Sequence, residues 1–373
     1  SSEKERYICT IIEKRSSDNW SKNVWDRISN IALNHKDPEI GKVNVTTSDD
    51  REMESLEMLR TNAINCTRGE AVRAIGKLIY NEKSLFSEFQ STLQKVSTDK
   101  NPAVRFATLF ALWNTYDIDK EWTQKILLDL LKQDYRMVGF YNMNQLLFDL
   151  YPEYGEDIIK VIEKGYQSQD KVLSKLSASY KCEMLIVKQE FEESLIHTQV
   201  MTKSQAEGFL EMATLYFNKS NFNEISKKII LSFKNSNHNL EWIFSRLFHD
   251  DNVDFTRDEA FLNEMINSKL GRKSIHYFVN YLENEARSII DYSDFILSLS
   301  RGVIEKAKEG DDTNIWGLDD EVSKLVIGLY DEVCGSKLPE KRRIADECLE
   351  LWDLMFENQF GSIRSLSHAI MER

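Results

Sequence analysis

The sequence predicts an all-α protein built of stacked helical hairpins, an α-solenoid. Apolar residues recur at intervals of three and four along most of the 373 residues, whereas the alternation typical of strands does not recur. The chain has 14 Gly and 4 Pro, too few for the many tight turns of a sheet protein. The tripeptide Ala71-Val72-Arg73 returns 32 residues later as Ala103-Val104-Arg105. Repetition at such a period is typical of stacked helix pairs.

Two hairpins within residues 67–116 carry the clearest pattern. Thr67 and Glu70 fit a capping box, in which each side chain accepts a backbone N–H at the start of a helix. The second hairpin turns at residues 99–102 (Asp-Lys-Asn-Pro), and Pro suits the first turn of a helix, where its missing N–H is not needed. We therefore expect helices to begin at Thr67 and just after this turn.

The turn and the helix after it resemble the HEAT-repeat pattern. Asp99 and Pro102 stand in the turn, and Val104-Arg105 stands at the start of the second helix, followed by small and apolar residues. The resemblance implies a right-handed α-solenoid of the HEAT and armadillo type. In HEAT repeats the Asp and Arg brace neighbouring repeats, so it also implies structural roles for Asp99, Pro102 and Arg105.

Three regions follow from how far the repeat can be traced. Residues 1–66 predict an N-terminal helical cap with a loop, and residues 67–200 predict HEAT-like repeats. Residues 201–373 predict further irregular helical repeats that continue the same solenoid, because the helical period persists after the repeat fades. Pro152 predicts that one helix ends at Tyr151, since the residue before Pro is pushed out of the α region.

Charge and cysteine usage exclude several classes of protein. The 48 Lys and Arg against 61 Asp and Glu give a net charge of −13, which disfavours nucleic acid as a partner. The five cysteines are scattered without a C-x-x-C pair, which argues against a zinc site or a disulfide framework and favours the reducing cytoplasm. No apolar run approaches the roughly 20 residues of a membrane helix. The Ser-Ser start without Met indicates a processed chain or a piece of a longer protein.

The motifs of common chemistries are incomplete. Gly271-Arg-Lys-Ser274 lacks the leading Gly and the spacing of a phosphate-binding loop. The six histidines form no H-x-x-x-H pair, and the acidic loops at 249–254 and 309–320 lack the closing Glu of a calcium-binding EF-hand. No nucleophile has its base beside it in sequence. We therefore predict no catalytic residue, no metal and no cofactor.

Aromatic and arginine side chains mark the expected binding positions. The segment at residues 135–141 (Tyr-Arg-Met-Val-Gly-Phe-Tyr) is richer in aromatic residues than packing alone requires. Tyr, Trp and Arg are enriched at protein-binding hot spots, so Tyr135, Arg136 and Tyr141 are predicted to contact a partner. Trp316, flanked by Asp and Gly in an acidic loop, is a fourth candidate.

These observations favour a non-enzymatic recognition or scaffold module that binds a protein partner over a helical-repeat surface. Residues 25–38, 68–71 and 348–356 are similar to the helical C-terminal regions of large bacterial antiphage NTPases of the STAND class. In that class the solenoid senses a foreign protein, which would make this chain the sensor part of a larger defence protein. The alternative is a HEAT-like enzyme acting on nucleic acid or a nucleotide, such as a DNA glycosylase. Such a glycosylase needs a basic groove for DNA, and the net charge of −13 argues against one.

Overall fold

The computed structural model describes residues 2–38, 55–248, 253–283, 288–308, 318–358 and 360. It is 79% helical, and the described residues contain no β-strand, so the predicted all-α class is confirmed. The chain divides into two compact units, Ser1–Lys181 and Cys182–Arg373. The predicted region boundaries at 66 and 200 stay predictions.

Helix α4 lies at the centre of the first unit, where it packs against α1, α2 and α6. The helices of this unit are α1 (Ser2–Lys14), α2 (Lys22–Asn34), α3 (Leu56–Asn65), α4 (Thr67–Asn81), α5 (Phe86–Val96), α6 (Pro102–Thr115), α7 (Lys120–Gln133), α8 (Met143–Tyr166) and α9 (Lys171–Lys188), with 3₁₀ helices at Lys83–Leu85 and Tyr135–Gly139. The division between the units falls within α9.

The crossing of α4 and α6 is close because a glycine stands at the contact. A Cβ atom added to Gly76 would lie 2.8 Å from the Cα of Ala111. Asn114 on α6 donates its side-chain N–H to the carbonyl oxygen of Gly76 at 3.0 Å. The two helices therefore pack backbone against backbone, and side chains on α4 and α6 share one surface.

The start of α4 differs from the predicted capping box. The helix begins at Thr67 as expected, but the N-cap residue is Cys66. Thr67 donates both its backbone N–H and its hydroxyl to the Asp37 carboxylate, each at 2.7 Å. Glu70 instead accepts a hydrogen bond from Arg6 at 2.7 Å. The capping-box prediction is wrong because partners distant in sequence take both side chains.

The start of α6 matches its local sequence. Pro102 is the first residue of the helix, and the side chain of Asn101 accepts the backbone N–H of Ala103 at 2.9 Å. An Asn at the N-cap satisfies one of the N–H groups that have no partner inside the helix. Pro102 therefore occupies the position where its missing N–H does no harm.

Helix α8 continues through Pro152, so the prediction that it ends at Tyr151 is wrong. The departure from helical geometry falls at Tyr154, which has φ −123° and ψ 31°. A proline inside a helix removes one backbone hydrogen bond and bends the helix, and here the chain accommodates it as a kink.

Buried arginines on α4 and α6 bond to aspartates in later connections of the first unit. Arg68 donates to the Asp99 carboxylate at 2.5 Å, across 31 residues. Arg105 donates to the backbone carbonyl of Asp99 at 2.7 Å and to the Asp134 carboxylate at 3.2 Å, the latter across 29 residues. Arg68, Arg105 and Asp134 are buried. We call Arg68, Asp99, Arg105 and Asp134 the arginine–aspartate ladder.

The second unit is likewise helical in its described residues. Its helices are α10 (Lys203–Tyr216), α11 (Asn223–Ser232), α12 (Glu241–Phe244), α13 (Phe255–Ile266), α14 (Lys269–Lys273), α15 (Ile275–Glu283), α16 (Ser293–Lys308), α17 (Leu318–Val333) and α18 (Pro339–Glu357), with 3₁₀ helices at Glu192–Leu195, Thr198–Val200, Ser245–Phe248 and Ile290–Tyr292. A complete capping box starts α10, where Thr202 and Gln205 bond reciprocally. Phenylalanines fill much of the core, with rings of Phe244 and Phe278 5.8 Å apart.

A buried carboxylate ties together α11 and α13 in this unit. Asp258 is fully buried and lies 2.6 Å from Arg257 and 3.1 Å from Lys227. It also accepts the backbone N–H of Asp254 at 3.0 Å. Burial alone would raise the pKa of the Asp258 carboxyl, but the hydrogen bonds from Arg257 and from the Asp254 amide hold that pKa below its ordinary value.

Candidate functional site

The predicted binding segment forms the 3₁₀ helix Tyr135–Gly139, directly after α7. Tyr135 is half-buried there. The guanidinium of Arg136 turns back onto Asp134 with two hydrogen bonds, of 2.9 and 2.7 Å. Burial alone would raise the pKa of the Asp134 carboxyl, but these bonds and the charge of Arg105 hold that pKa below its ordinary value. Arg136 therefore contributes to the fold of its own segment.

Tyr141 is the most exposed of the predicted binding residues near this 3₁₀ helix, with 56% of its surface in solvent. Its ring packs edge-on against Phe140, with 6.1 Å between centroids. On another side the Arg60 guanidinium of α3 lies 5.3 Å from the Tyr141 centroid. Arg60 also donates to the carbonyl oxygen of Gly139 at 2.9 Å. The exposed ring is thus held in place by two neighbours.

The contacts continue from Phe140 across α6 to α4. Phe140 packs edge-on against Phe110 with centroids 5.0 Å apart, and the Arg73 guanidinium lies 5.9 Å from the Phe110 centroid. We call Arg60, Tyr141, Phe140, Phe110 and Arg73 the arginine–aromatic row. It gathers side chains from three helices and the segment before α8 into one connected line, with a cation at each end.

The aromatic and guanidinium side chains of this row are suited to contacts with another protein. Aromatic rings offer large apolar area with little side-chain entropy to lose, and guanidinium groups beside them donate hydrogen bonds to carboxylates and stack on further rings. Phe140 is buried and supports the row from below, whereas Tyr141 projects into solvent. Tyr and Arg, the two residue types at the exposed end of the row, are enriched at binding hot spots.

A polar cleft of about 600 Å³ adjoins the Arg73 end of the row, between α1 and α4. Arg73 donates to Glu13 at 2.7 Å, and Glu70 accepts from Arg6, also at 2.7 Å. These ion pairs hold the two helices together. The cleft is lined by Thr10, Glu13, Lys14, Ser16, Ser17, Glu70, Arg73, Lys77 and Asn81.

The residues that the HEAT resemblance marks lie away from this exposed row. Asp99 and Arg105 belong to the arginine–aspartate ladder, and Pro102 starts α6. Arg105 is buried and bonds to Asp134, and the half-buried Asp99 accepts from Arg68, whereas Pro102 is half-buried at the helix start. The fourth predicted binding residue, Trp316, lies outside the described residues.

Four free cysteine thiols elsewhere in the described chain are buried. Burial raises the pKa of the Cys9, Cys66 and Cys348 thiols to about 12, so each is held in its unreactive protonated form. His35 accepts the Asp37 amide N–H at 3.0 Å. Among the described residues no three His, Cys, Asp or Glu side chains gather as a metal site.

Sequence reasoning missed most of the row. Arg60 and Gly139 stand 79 residues apart in the chain, and no local pattern pairs them. Phe110 stands at helical spacing from the buried residues Val104 and Ala107, yet it is only half-buried and its ring lies beside Arg73. The one available signal was the aromatic density of residues 135–141, which located Tyr141 but not its supports.

No protein-family model, no curated protein and no solved structure matches the chain. Among the described helices, none has the length and apolar character that crossing a bilayer requires.

Proposed function

We propose that this chain is a HEAT-like α-solenoid, right-handed, that binds a protein partner and catalyses no reaction itself. The observation that carries the proposal is the arginine–aromatic row, which presents Tyr141 in solvent between fixed neighbours. A preformed row loses little conformational freedom on binding, so more of its contact energy appears as affinity.

The arginine–aspartate ladder supports the same proposal. Its ion pairs join consecutive hairpins through buried groups, as the Asp and Arg of HEAT repeats do. Because the hairpins are held in this way, α3, α4 and α6 keep fixed positions relative to one another and form one surface. A rigid support of this kind favours specific recognition of a partner.

We further propose, on the resemblance to STAND-class defence proteins, that the partner is a foreign protein and that this chain is the sensor part of a larger bacterial protein acting in the cytoplasm. Sensing by such a chain requires binding alone, because the response belongs to a separate NTPase and effector. The formal charge of −13 supports a protein rather than a nucleic-acid partner.

The test begins with affinity capture from bacterial lysates with and without phage infection, followed by titration of the captured protein. Tyr141→Ala should weaken binding about 30-fold, equivalent to roughly 2 kcal/mol for a hot-spot residue. Tyr7→Ala is the matched control, because Tyr7 is 69% exposed and lies on α1 outside the row. Equal loss of partner affinity in Tyr141→Ala and Tyr7→Ala, or loss in neither, would count against the row as the binding site.

The enzymatic alternative is examined with the same purified chain. Nucleotides, nucleic acids and peptides should all remain unconverted, and DNA should not bind at low salt. Turnover that survives purification and disappears with one point substitution would overturn the proposal in favour of the enzyme.

A further inference from the structure

Helix α18 of the second unit carries an exposed apolar face. Ala345, Leu349, Trp352 and Phe356 recur at intervals of four, three and four residues, and Leu338 precedes Ala345 by seven. Leu338, Leu349 and Phe356 are 60%, 46% and 43% exposed, and Ala345 and Trp352 are half-buried. We call these five residues the α18 seam. Their spacing is that of residues through which one helix packs against another in a coiled coil.

The seam is distinct from the face that α18 buries in its own unit, where it packs against α16 and α17. The buried residues of that face are Ile344, Cys348, Leu351 and Met355. Each seam residue within the helix follows one of them by one position, which places it about 100° farther round the helix. One buried stripe is enough to hold a surface helix on its domain, so the seam is a second apolar stripe. Exposed apolar residues gathered in this way mark interfaces.

Opposite charges border the two ends of the seam. Arg342 stands seven residues before Leu349, on the line of the seam, and Asp353 and Glu357 border its far end. All three are exposed, and within the described part of the chain none of them is in an ion pair. The neighbouring Arg343, by contrast, has two carboxylate partners. The seam thus offers a cation at its start and carboxylates at its end.

The order of these charges is the reverse of the order that the helix itself favours. The dipole of a helix favours carboxylates in its first turn and cations in its last. The first turn of α18 contains Glu340 but also Lys341 and Arg342, and the last turn contains Glu357 and no basic residue. Arg342 and Glu357 therefore do not stabilise α18 through its dipole, and a partner outside the helix would explain their placement.

We propose that the α18 seam binds the same seam of a second copy of this chain, with the two helices antiparallel about a two-fold axis near Leu349. This arrangement places Arg342 of each copy beside Asp353 and Glu357 of the other, so the opposite charges meet at both ends of the interface. A parallel pair would bring the two Arg342 side chains together, and a partner of a single charge would match only one end of the seam. The interface lies in the second unit and shares no residue with the arginine–aromatic row, so it goes beyond the function proposed for that row.

The parent chain should form a weak, reversible dimer. Two single helices bury a small interface, and Asp346 adds like charge near its middle, so we expect a dissociation constant of about 10–100 μM. Sedimentation equilibrium of the full chain measures it, with a reductant present because Cys334 is exposed. Leu349→Asp should raise the dissociation constant about tenfold or more, since it places two carboxylates at the two-fold axis. Leu215→Asp is the matched control and should dimerise like the parent, because Leu215 is a 61% exposed leucine on α10, outside the seam.

An exchange of charges tests the antiparallel pairing. Arg342→Glu should raise the dissociation constant about tenfold, because each new carboxylate meets Asp353 and Glu357 of the other copy. The double variant Asp353→Lys/Glu357→Lys should weaken the dimer similarly, because its lysines meet Arg342. An equimolar mixture of the two variants brings opposite charges together at both ends, so it should form mixed dimers at least as tightly as the parent chain. Both sets of changes agree with the helix dipole, so both variants should fold.

Three results would overturn the proposal. A parent chain that stays monomeric at about 1 mM, tenfold above the expected range of dissociation constants, would do so whatever other molecule the seam binds. A dimer that Leu349→Asp leaves intact, or charge variants that fail to associate when mixed, would do so as well. If Leu349→Asp lowers the melting temperature too far, the charge variants carry the test. Tyr141→Ala should dimerise like the parent chain, so failure of this interface and failure of the row are distinguishable.

Discussion

Two copies of one tripeptide place their arginines in different surroundings. Arg105, the fourth residue of α6, is buried and bonds to Asp134. Arg73, the seventh residue of α4, keeps 25% of its side chain in solvent, pairs with Glu13 and lies over Phe110. The Ala and Val of both copies are buried, so the two copies differ only at the arginine, which is buried in α6 and partly exposed in α4.

The position of the helix start explains the difference. The α4 residue that matches Arg105 in role is Arg68, which stands second in its helix and binds Asp99. A shift of a few residues along a helix rotates a side chain to another face. Ala-Val-Arg lies three residues farther from the helix start in α4 than in α6, so identical sequence need not make identical contacts.

The largest expected effect is that of Arg105→Ala. It should lower the free energy of unfolding by about 3 kcal/mol, because the buried Asp134 carboxylate loses one of its cations. Thermal and urea denaturation measure this change, and partner binding should persist at temperatures where the fold survives. Lost binding at unchanged stability would contradict the structural role of Arg105.

The ladder should also control stability in acid. The pKa of Asp134 is lower in the folded state than in the unfolded state. Its contribution to the free energy of unfolding is therefore complete above the unfolded-state pKa and is lost as pH falls through the folded-state pKa. Asp134→Asn should cost roughly 2 kcal/mol near neutral pH and progressively less below about pH 5. Asp157→Asn, which removes a partner of Lys132 in a solvent-exposed ion pair, serves as control and should change the stability in acid much less than Asp134→Asn does. A difference in the free energy of unfolding between Asp134→Asn and the parent chain that stays constant down to pH 3 would refute this assignment.

The close crossing of α4 and α6 fixes the relative positions of the helices that carry Arg73 and Arg105. Gly76→Ala should destabilise the chain by about 1–3 kcal/mol, because the new methyl group meets the backbone of Ala111. Gly328→Ala on α17 is the matched control, since its nearest neighbour would be a side-chain carbon of Ile289 at 3.6 Å. There alanine should raise stability by roughly 0.5–1 kcal/mol. Melting temperatures that move in the same direction would argue against the close crossing.

The smallest effect is expected at Arg73, the partly exposed arginine of the copy in α4. Arg73→Ala should cost less than about 1 kcal/mol, because its ion pair with Glu13 is partly solvated. A double-mutant cycle with Glu13→Gln should return a coupling energy of about 0.5 kcal/mol. If Arg73→Ala proves as costly as Arg105→Ala, the contrast between the two copies is false.

The sequence predicted those features of the fold that depend on interactions between residues close together in the chain. The all-α class follows from apolar periodicity, and the start of α6 follows from Asn101 and Pro102. The capping box at Thr67 failed because Asp37, 30 residues away, binds Thr67 instead. The candidate site was predicted only at Tyr141, since its supports come from helices that fold onto it from distant positions, as Arg60 does.

The bond between Asp37 and Thr67 also bears on how this chain tolerates change. It brings together two positions 30 residues apart, so the stretch between them begins and ends at one point of the molecule. The entropy cost of closing a loop grows slowly, by about 0.6 kcal/mol for each doubling of length. Asp37→Ala would therefore release a closure that contains the whole of α3, so it should loosen the placement of α3 as well as the start of α4.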